Sequence, residues 1–399
     1  MKMKKIICSL MIAVLCFMTA ISGVSAANTY DTNKLLDAAD KVKAYYKANG
    51  LSDTNYLDEI IAYEALGGEA EDDLDISKFE SNIYASDVGS LSKGIIVAKL
   101  LKKDPTNLTI NGSQVNLVSE LESKIDENGC FGTELGNNID IWGLLALETV
   151  SSSKVQQVAN HIASDINPDG GFWNYGWKQL DPSDPNSKWV VDTSAKNSTC
   201  DVTGWGIEAL SIAGKKQYSS TIQKAIGYLK GQQNDVGFTS YGAVNPDTQA
   251  CAIEGLSVYN RNDLLNGVYD KNNSNQIDVL LNYQNTDTGS FWYYNVGEEN
   301  GYATQDAARA IGTIINGSVI YKAIGYGNPD TTLTRKEETK PAQNPTQTEN
   351  KKDSQAPKKD QSATAVKTGD NTNVAVFVSL SMISGGLFLV LRKENEKAC

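Results

Sequence analysis

Apolar residues recur at helical spacing along most of the chain, and the recurring pattern has two alternating forms. In the first form, apolar residues three and four positions apart make one face, which indicates a helix that lies on a core. These amphipathic stretches occupy residues 35–46, 76–84, 115–125, 155–166, 222–229 and 277–283. We interpret them as six outer helices.

The second form of the pattern is rich in glycine and alanine and follows each amphipathic stretch. Its copies, of which the last four align without gaps, are residues 57–68, 87–101, 139–147, 202–210, 248–256 and 303–311. Glycine lowers helix stability, so its repeated presence inside these segments indicates that helices approach closely. Six inner helices alternating with six outer helices predict an all-α fold over residues 31–326, an (α/α)6 toroid of six helical hairpins.

A turn made of glycine and an aromatic residue precedes four of the inner helices. The turns are Gly129-Cys130-Phe131, Gly171-Phe172-Trp173, Gly237-Phe238 and Gly289-Ser290-Phe291-Trp292, and Gln233 and Gln284 stand ahead of two of them. Glycine ends helices because it adopts the left-handed conformation without strain. The repeat resembles that of the terpene cyclase and protein prenyltransferase superfamily of α/α toroids.

One branch of that superfamily is closer in pattern. Residues 104–107, residues 115–125 and the segment Ala303-Thr304-Gln305-Asp306-Ala307 are similar to bacterial secreted relatives of the cobalamin carriers intrinsic factor and transcobalamin. The resemblance implies a corrinoid or another flat ligand held over one mouth of the toroid. The polar contacts that it implies are Asp201, Asp247, Thr304 and Gln305. The carriers also close over their ligand with a β-rich domain, whereas here a linker follows the toroid directly.

The N-termini of the inner helices and the Gly-aromatic turns line one mouth if the inner helices run in the same direction. Aromatic side chains collect there, at Trp173, Trp177, Trp189, Trp292 and Tyr294. Aromatic faces with a few polar groups are typical of a small-molecule site. Two plainer interpretations stay open: Asp201 and Asp247 are helix N-caps, and the aromatic residues only pack the turns. The long loop 174–199 favours a function, because long loops in compact domains are usually functional or mobile.

The catalytic chemistries of the superfamily find no match in the sequence. There is no Asp-x-Asp-Asp acid for a class II terpene cyclase, and Cys130 lacks the following Gln of a thioester protein. Prenyltransferases hold zinc with Asp, Cys and His. The single histidine, His161, falls in an outer helix, where we expect it to lie at the surface, away from every cysteine-bearing turn. We therefore predict no metal site.

A different enzyme class stays open as an alternative. Six-hairpin α/α barrels also carry glycoside hydrolases and polysaccharide lyases, which use two carboxyl groups. Asp201 together with Asp140, Asp192 or Asp247 is a candidate pair. Adhesion to a host or neighbouring-cell protein is a third alternative. We expect a non-catalytic ligand-binding protein.

Two smaller motifs concern cysteine and calcium. Cys130, Cys200 and Cys251 belong to the predicted toroid, and this odd number gives no complete disulfide framework. Cys130 and Cys200 either pair or, with Cys251, remain small, partly buried thiols. Residues 270–278 resemble the start of a calcium loop but lack its final acidic ligand, which favours an Asx-rich cap before the last outer helix.

The two ends of the chain predict secretion and surface attachment. Residues 1–26 have the basic, apolar and small-residue regions of a signal peptide. Residues 327–364 are a polar, disordered linker, and residues 365–399 resemble a sortase sorting signal with Thr368-Gly369 and a hydrophobic helix at 374–391. Sortase, peptidoglycan and, before processing, the membrane are the implied partners, although Ala365 and Val366 replace the usual Leu and Pro.

The charge of the chain excludes one class of partner. The formal net charge is −12, and the toroid has no cluster of Lys and Arg. Binding to nucleic acid depends on such clusters, because they neutralise phosphates. We therefore expect a small-molecule or glycan ligand and no nucleic acid.

Overall fold

A computed structural model describes residues 30–132, 136–184, 186–240, 242–293, 297–325 and 332–336. These residues are mostly helical, which confirms the all-α prediction. The predicted signal peptide, most of the linker, the sorting signal with its hydrophobic helix, and Tyr294 lie outside the described residues. Within the described ranges, no helix has the length and apolar character needed to cross a membrane.

The helices and strands follow one another in a regular order. They are α1 (Thr32–Asn49), α2 (Tyr56–Ala65), α3 (Ala70–Asp73), α4 (Val88–Leu100), β1 (Leu108–Ile110), β2 (Ser113–Val115), α5 (Leu117–Ser123), α6 (Asn137–Thr149), α7 (Val155–Ser164), β3 (Trp173–Gln179), β4 (Trp189–Ser198), α8 (Cys200–Gly214), α9 (Ser219–Gly231), α10 (Pro246–Leu265), α11 (Gln276–Leu281), α12 (Gly301–Asn316) and α13 (Val319–Ile324). All six predicted inner helices are present, as α2, α4, α6, α8, α10 and α12, and we keep the name inner helices for this set.

Each inner helix packs against two others of the set. The contacts join α2 to α4, α4 to α6, α6 to α8, α8 to α10, α10 to α12, and α12 back to α2. The helix backbones touch where glycine lies between them. A Cβ at Gly204 would lie 2.0 Å from the carbonyl oxygen of Cys251, and a Cβ at Gly312 would lie 2.3 Å from the carbonyl carbon of Ala65. Close packing is therefore the reason for glycine inside these helices.

Five predicted outer helices form, as α1, α5, α7, α9 and α11. The prediction for residues 76–84 was wrong, because this stretch contains only a short 3-10 turn at Glu80–Asn82. Short polar side chains compete with helix hydrogen bonds here. The carbonyl of Lys78 accepts hydrogen bonds from the Ser81 hydroxyl and the Asn82 amide.

The long loop 174–199 is in fact largely β-structure. Strands β3 and β4 form a two-stranded sheet within it. The segment Trp177–Val190 is a compact unit separate from the helical one, which comprises the described residues up to Gly176 and from Val191 to Lys336.

The short helix α13, which the sequence pattern did not predict, packs against α2, α4, α6 and α12. The Ser318 hydroxyl before it donates to Glu208 Oε1 at 2.6 Å. The Lys322 ammonium pairs with Glu64 Oε2 at 2.6 Å and donates to the carbonyl of Gly68. Because Glu64 and Gly68 stand at the end of α2, the helix α13 covers the C-terminal ends of inner helices.

Candidate functional site

Each Gly-aromatic turn is fixed to the inner helix after it by one hydrogen bond. The backbone N–H of the turn phenylalanine donates, at 2.9 to 3.0 Å, to a side chain at one equivalent position of the four aligned inner helices. The donor and acceptor pairs are Phe131 and Asp140, Phe172 and Thr203, Phe238 and Gln249, and Phe291 and Thr304. All four phenyl rings are buried. The turns are therefore part of the repeat architecture.

Two of the predicted ligand contacts are engaged within this architecture. Thr304 accepts from Phe291 and donates to the Asn300 carbonyl at 2.8 Å. Trp173 is buried, and its indole N–H donates to Asp165. The structure thus uses the polar groups of both side chains inside the protein.

Asp201 and Asp247 are not helix N-caps, so the capping interpretation was wrong. The caps of α8 and α10 are Thr199 and Asn245, whose side chains each accept from the backbone N–H three residues later. Asp201 and Asp247 are the second residues of these helices and are half-buried. The Oδ1 atom of each is enclosed and has no hydrogen-bond partner among the described residues.

Next to these two aspartates lies a buried group of charged and aromatic side chains. Arg309 of α12, whose side chain is 3% exposed, holds Glu254 of α10 with its Nε at 2.9 Å from both carboxylate oxygens. Its Nη1 lies 3.2 Å from Asp306, and its guanidinium stands 5.4 Å above the rings of both Trp142 and Trp205. We define the central polar cluster as Trp142, Asp201, Trp205, Glu208, Asp247, Cys251, Glu254, Asp306 and Arg309.

Acidic groups outnumber basic ones in the central polar cluster, and their pKa values reflect this. Burial raises the pKa of Asp201 to about 6. Burial, followed by repulsion from Asp306 and Asp201, raises the pKa of Asp247 well above its usual value. Burial raises the pKa of Glu254 to about 8, although Arg309 opposes this. The cluster therefore holds protons at pH values where exposed carboxyl groups have lost theirs.

Partly exposed side chains adjoin the cluster. Lys93 pairs with Asp58 at 2.7 Å, and its ammonium lies 5.2 Å above the Trp142 ring. Tyr302, at 36% exposure, lies near enough to Asp58 and Asp247 for both to act on its phenol electrostatically. These residues mark the accessible side of the central polar cluster.

Several buried polar atoms have no hydrogen-bond partner within the described ranges. The acceptors are Oδ1 of Asp201, Oδ1 of Asp247 and Oε1 of Gln305, and the donors are Nε1 of Trp205, Nε1 of Trp292 and Nη2 of Arg309. The set thus contains Asp201, Asp247, Gln305 and Trp292 from the sequence prediction. Trp177 and Trp189 belong to the separate unit at Trp177–Val190.

The sequence prediction missed most of the central polar cluster, although a signal was present. In the gapless alignment of inner helices, Glu208, Glu254 and Arg309 occupy one position. Trp142, Trp205, Cys251 and Asp306 occupy a second position, three residues earlier. Charged side chains at a repeating position of apolar helices would have identified the cluster.

The cysteine and calcium alternatives are now decided. No disulfide joins Cys130, Cys200 and Cys251 to one another, so Cys130 and Cys200 do not pair. Asn275 caps α11 by accepting from Ile277 and Asp278, which confirms the Asx-rich cap.

The position predicted for His161 was wrong. Its imidazole lies beside a cysteine-bearing turn, where the ligating atoms of Cys130, Asp140 and His161 are all within 4.8 Å of one another.

Comparisons with known proteins give no family for this chain. A scan against models of known protein families finds no match, and a search of curated proteins finds no relative.

Proposed function

We propose that the inner helices form the inner ring of an (α/α)6 toroid, and that this toroid binds a small ligand without catalysing a reaction. Support for the ring comes from the contact that returns from α12 to α2. Support for one open end comes from α13, which covers the C-terminal ends. The ligand enters from the N-terminal ends, where Asp201 and Asp247 lie.

The observation that carries this proposal is the pair of enclosed, unpartnered carboxylate oxygens of Asp201 and Asp247. Leaving a buried polar atom without a partner costs about 1–3 kcal/mol, so proteins retain such atoms mainly where a ligand or water completes them. The indole N–H of Trp205 and the Nη2 of Arg309 are further donors without a partner. A ligand with its own donors and acceptors would satisfy these groups.

The composition of the site indicates the chemistry of the ligand. Five carboxyl groups face one buried arginine in the central polar cluster, which favours a ligand with positive charge or many N–H donors. The indole faces favour a flat apolar surface. A corrinoid, the ligand implied by the resemblance to cobalamin carriers, offers a flat macrocycle with amide donors on its edge and remains our first candidate.

A titration of tryptophan fluorescence tests the proposal. We expect cobinamide or cobalamin to quench the full-length protein with saturation, after correction for absorption by the ligand. The double variant D201N/D247N should bind at least tenfold more weakly. Each carboxyl group becomes an amide of nearly the same volume, which can accept through only one oxygen. D72N, a change at an exposed residue of α3, is the control and should bind as the wild type does.

The outcomes separate the parts of the proposal. If no corrinoid quenches the fluorescence with saturation, the proposal that the ligand is a corrinoid is wrong. Equal affinity of the wild type and D201N/D247N for a ligand that does bind rejects this site.

A second candidate function is cleavage of a glycan, by hydrolysis or by a lyase reaction. The observation in its favour is the pKa of Asp201, which burial raises to about 6 beside a second carboxyl group, Asp247. A general acid needs a proton near neutral pH. Release of reducing ends or unsaturated sugars, lost in D201N, would establish this function in place of simple binding.

We also propose that the toroid is displayed on the cell surface, attached through the predicted sorting signal. The support is the sequence pattern at Thr368-Gly369 and the basic tail after the hydrophobic segment. Cell fractionation tests this, since sortase-dependent attachment places the protein in the peptidoglycan fraction. The same fraction should lose it when Thr368 is changed to Ala.

A further inference from the structure

Three side chains with metal-binding atoms meet outside the central polar cluster. Cys130 belongs to the first Gly-aromatic turn, Asp140 to α6 and His161 to α7. Nε2 of His161 lies 3.6 Å from Oδ2 of Asp140, and Sγ of Cys130 lies 4.0 Å from the same oxygen. Asp140 is buried, whereas Cys130 and His161 are half-buried.

The separation between His161 and Asp140 fits a shared cation better than a direct hydrogen bond. A hydrogen bond between imidazole and carboxylate has its heavy atoms about 2.7–3.2 Å apart. Ligands of a tetrahedral zinc ion, at about 2.0–2.3 Å from the metal, stand roughly 3.3–3.6 Å from one another. The Nε2–Oδ2 and Sγ–Oδ2 separations of 3.6 and 4.0 Å are close to this range, and the ligating atoms of all three residues lie within 4.8 Å of one another, so the side chains draw together to hold the ion.

Backbone groups already orient two of the three ligands. The Phe131 N–H donates to Oδ1 of Asp140 at 2.9 Å, which leaves Oδ2 directed at Cys130 and His161. The Gly132 N–H donates to Sγ of Cys130 at 3.3 Å. Hydrogen bonds of this kind hold metal ligands in place and stabilise their anionic forms.

The other repeats have different residues at the same three places, which separates the triad from the repeat architecture. Asp140 occupies the position of Thr203 and Thr304, where a neutral hydroxyl suffices to accept the turn N–H. The positions equivalent to Cys130 hold Gly171 and Ser290.

The residues equivalent to His161 in other repeats can be found from the contact between each turn glycine and the helix that packs against it. A Cβ at Gly129 would meet the carbonyl of Gln157, a Cβ at Gly170 that of Lys224, and a Cβ at Gly289 that of Lys41. Four residues after these carbonyls stand His161, Tyr228 and Tyr45. Only the first of these three repeats therefore combines a thiol, a carboxylate and an imidazole.

We propose that Cys130, Asp140 and His161 bind a zinc ion, with one coordination position left for water or an external ligand. Thiolate, imidazole and carboxylate together suit Zn²⁺ rather than Mg²⁺ or Ca²⁺, which prefer oxygen ligands. Two further acidic residues, Asp126 and Asp165, lie close enough to act electrostatically on the imidazole and favour a cation there.

Metal binding by the full-length protein, prepared without a polyhistidine tag, tests this proposal. We expect one zinc ion per chain in competition with a chromophoric chelator. Titration with Co²⁺ should give a thiolate-to-cobalt charge-transfer band and the intense visible bands of tetrahedral cobalt.

The repeats supply matched variants. C130S, D140T and H161Y should each weaken zinc binding at least tenfold. D140T and H161Y introduce residues that other repeats carry at the equivalent positions, so the fold is retained, and circular dichroism checks this. C200S, which alters a buried thiol of α8, should keep both the zinc and the cobalt spectrum. Equal zinc affinity of the wild type and D140T, or a cobalt spectrum without the charge-transfer band, would overturn the proposal.

Discussion

Arg309 and Arg335 each contact two carboxylates, but they do so in different surroundings. Arg309 lies between inner helices, with a side chain 3% exposed, and we call this region the centre. Arg335 lies against α1 with a side chain 50% exposed, and we call this exposed surface the wall. Water solvates the separated charges at the wall, so such a pair contributes little to stability. The charges at the centre are buried, so the removal of one partner leaves the other poorly solvated. Similar contacts therefore carry different weight in the two regions.

The largest expected effect is the loss of Arg309. Arg309→Met should lower the free energy of unfolding by about 3–5 kcal/mol, because Glu254 and Asp306 lose their buried counter-charge. The loss should grow above pH 8, since burial raises the pKa of Glu254 to about 8 and its protonation relieves the cost below that. Urea unfolding at several pH values measures this.

Arg335→Met is the matched control for this change and should leave the free energy of unfolding close to that of the wild type, because its charges are exposed to water. Equal losses for the two variants would contradict the distinction between centre and wall.

The second expected effect is a pH dependence that originates at the centre. The pKa of Asp201 is about 6 in the folded protein and 3.8 when exposed, so the folded state binds the extra proton between these values. The contribution of Asp201 to stability should therefore fall by up to about 3 kcal/mol as pH rises from about 4 to 6 and change no further above that. Thermal unfolding across this range measures the slope.

D201N should lose this part of the slope and be more stable than the wild type at pH 7. D72N, at the exposed α3, should follow the wild-type curve. A D201N curve that runs parallel to the wild type would show that Asp201 does not titrate in this range.

The smallest expected effect is the difference between alanine substitutions at two helical glycines. Gly204→Ala should cost about 1–3 kcal/mol, because the new Cβ would lie 2.0 Å from the Cys251 carbonyl oxygen. Gly227→Ala in α9 meets no atom within 4 Å and should stabilise by up to about 1 kcal/mol. Differential scanning calorimetry of the two variants measures both. Destabilisation by Gly227→Ala as well would mean that helix packing at the wall is as tight as at the centre.

The repeat pattern of the sequence predicted the helices well because it is mostly a packing signal. Apolar spacing located all inner helices and five outer ones, and glycine indicated where helices touch. The prediction of a helix at residues 76–84 was wrong, since only the 3-10 turn at Glu80–Asn82 forms there, and the Ser81 and Asn82 side chains also bond to the Lys78 carbonyl. The strands β3 and β4 were missed because their polar residues carry no regular alternation.

The candidate site was predictable only in part, because it depends on contacts between distant repeats. Asp201 and Asp247 were identified from their place at helix starts, although their capping role went to Thr199 and Asn245. The pairing of Glu254 with Arg309 joins α10 to α12. The approach of His161 to Cys130 depends on how a helix lies on a turn, which periodicity does not specify.

The contacts of α12 and α13 also bear on how the chain folds as it is made. Gly312 touches the backbone of Ala65, and Ser318 binds Glu208, so residues near the end of the domain complete surfaces formed much earlier. Contacts so far apart in sequence close slowly. During synthesis, the apolar faces of the first helices stay uncovered until α12 and α13 have left the ribosome. A nascent chain of this protein is therefore exposed to aggregation until synthesis of the domain is finished.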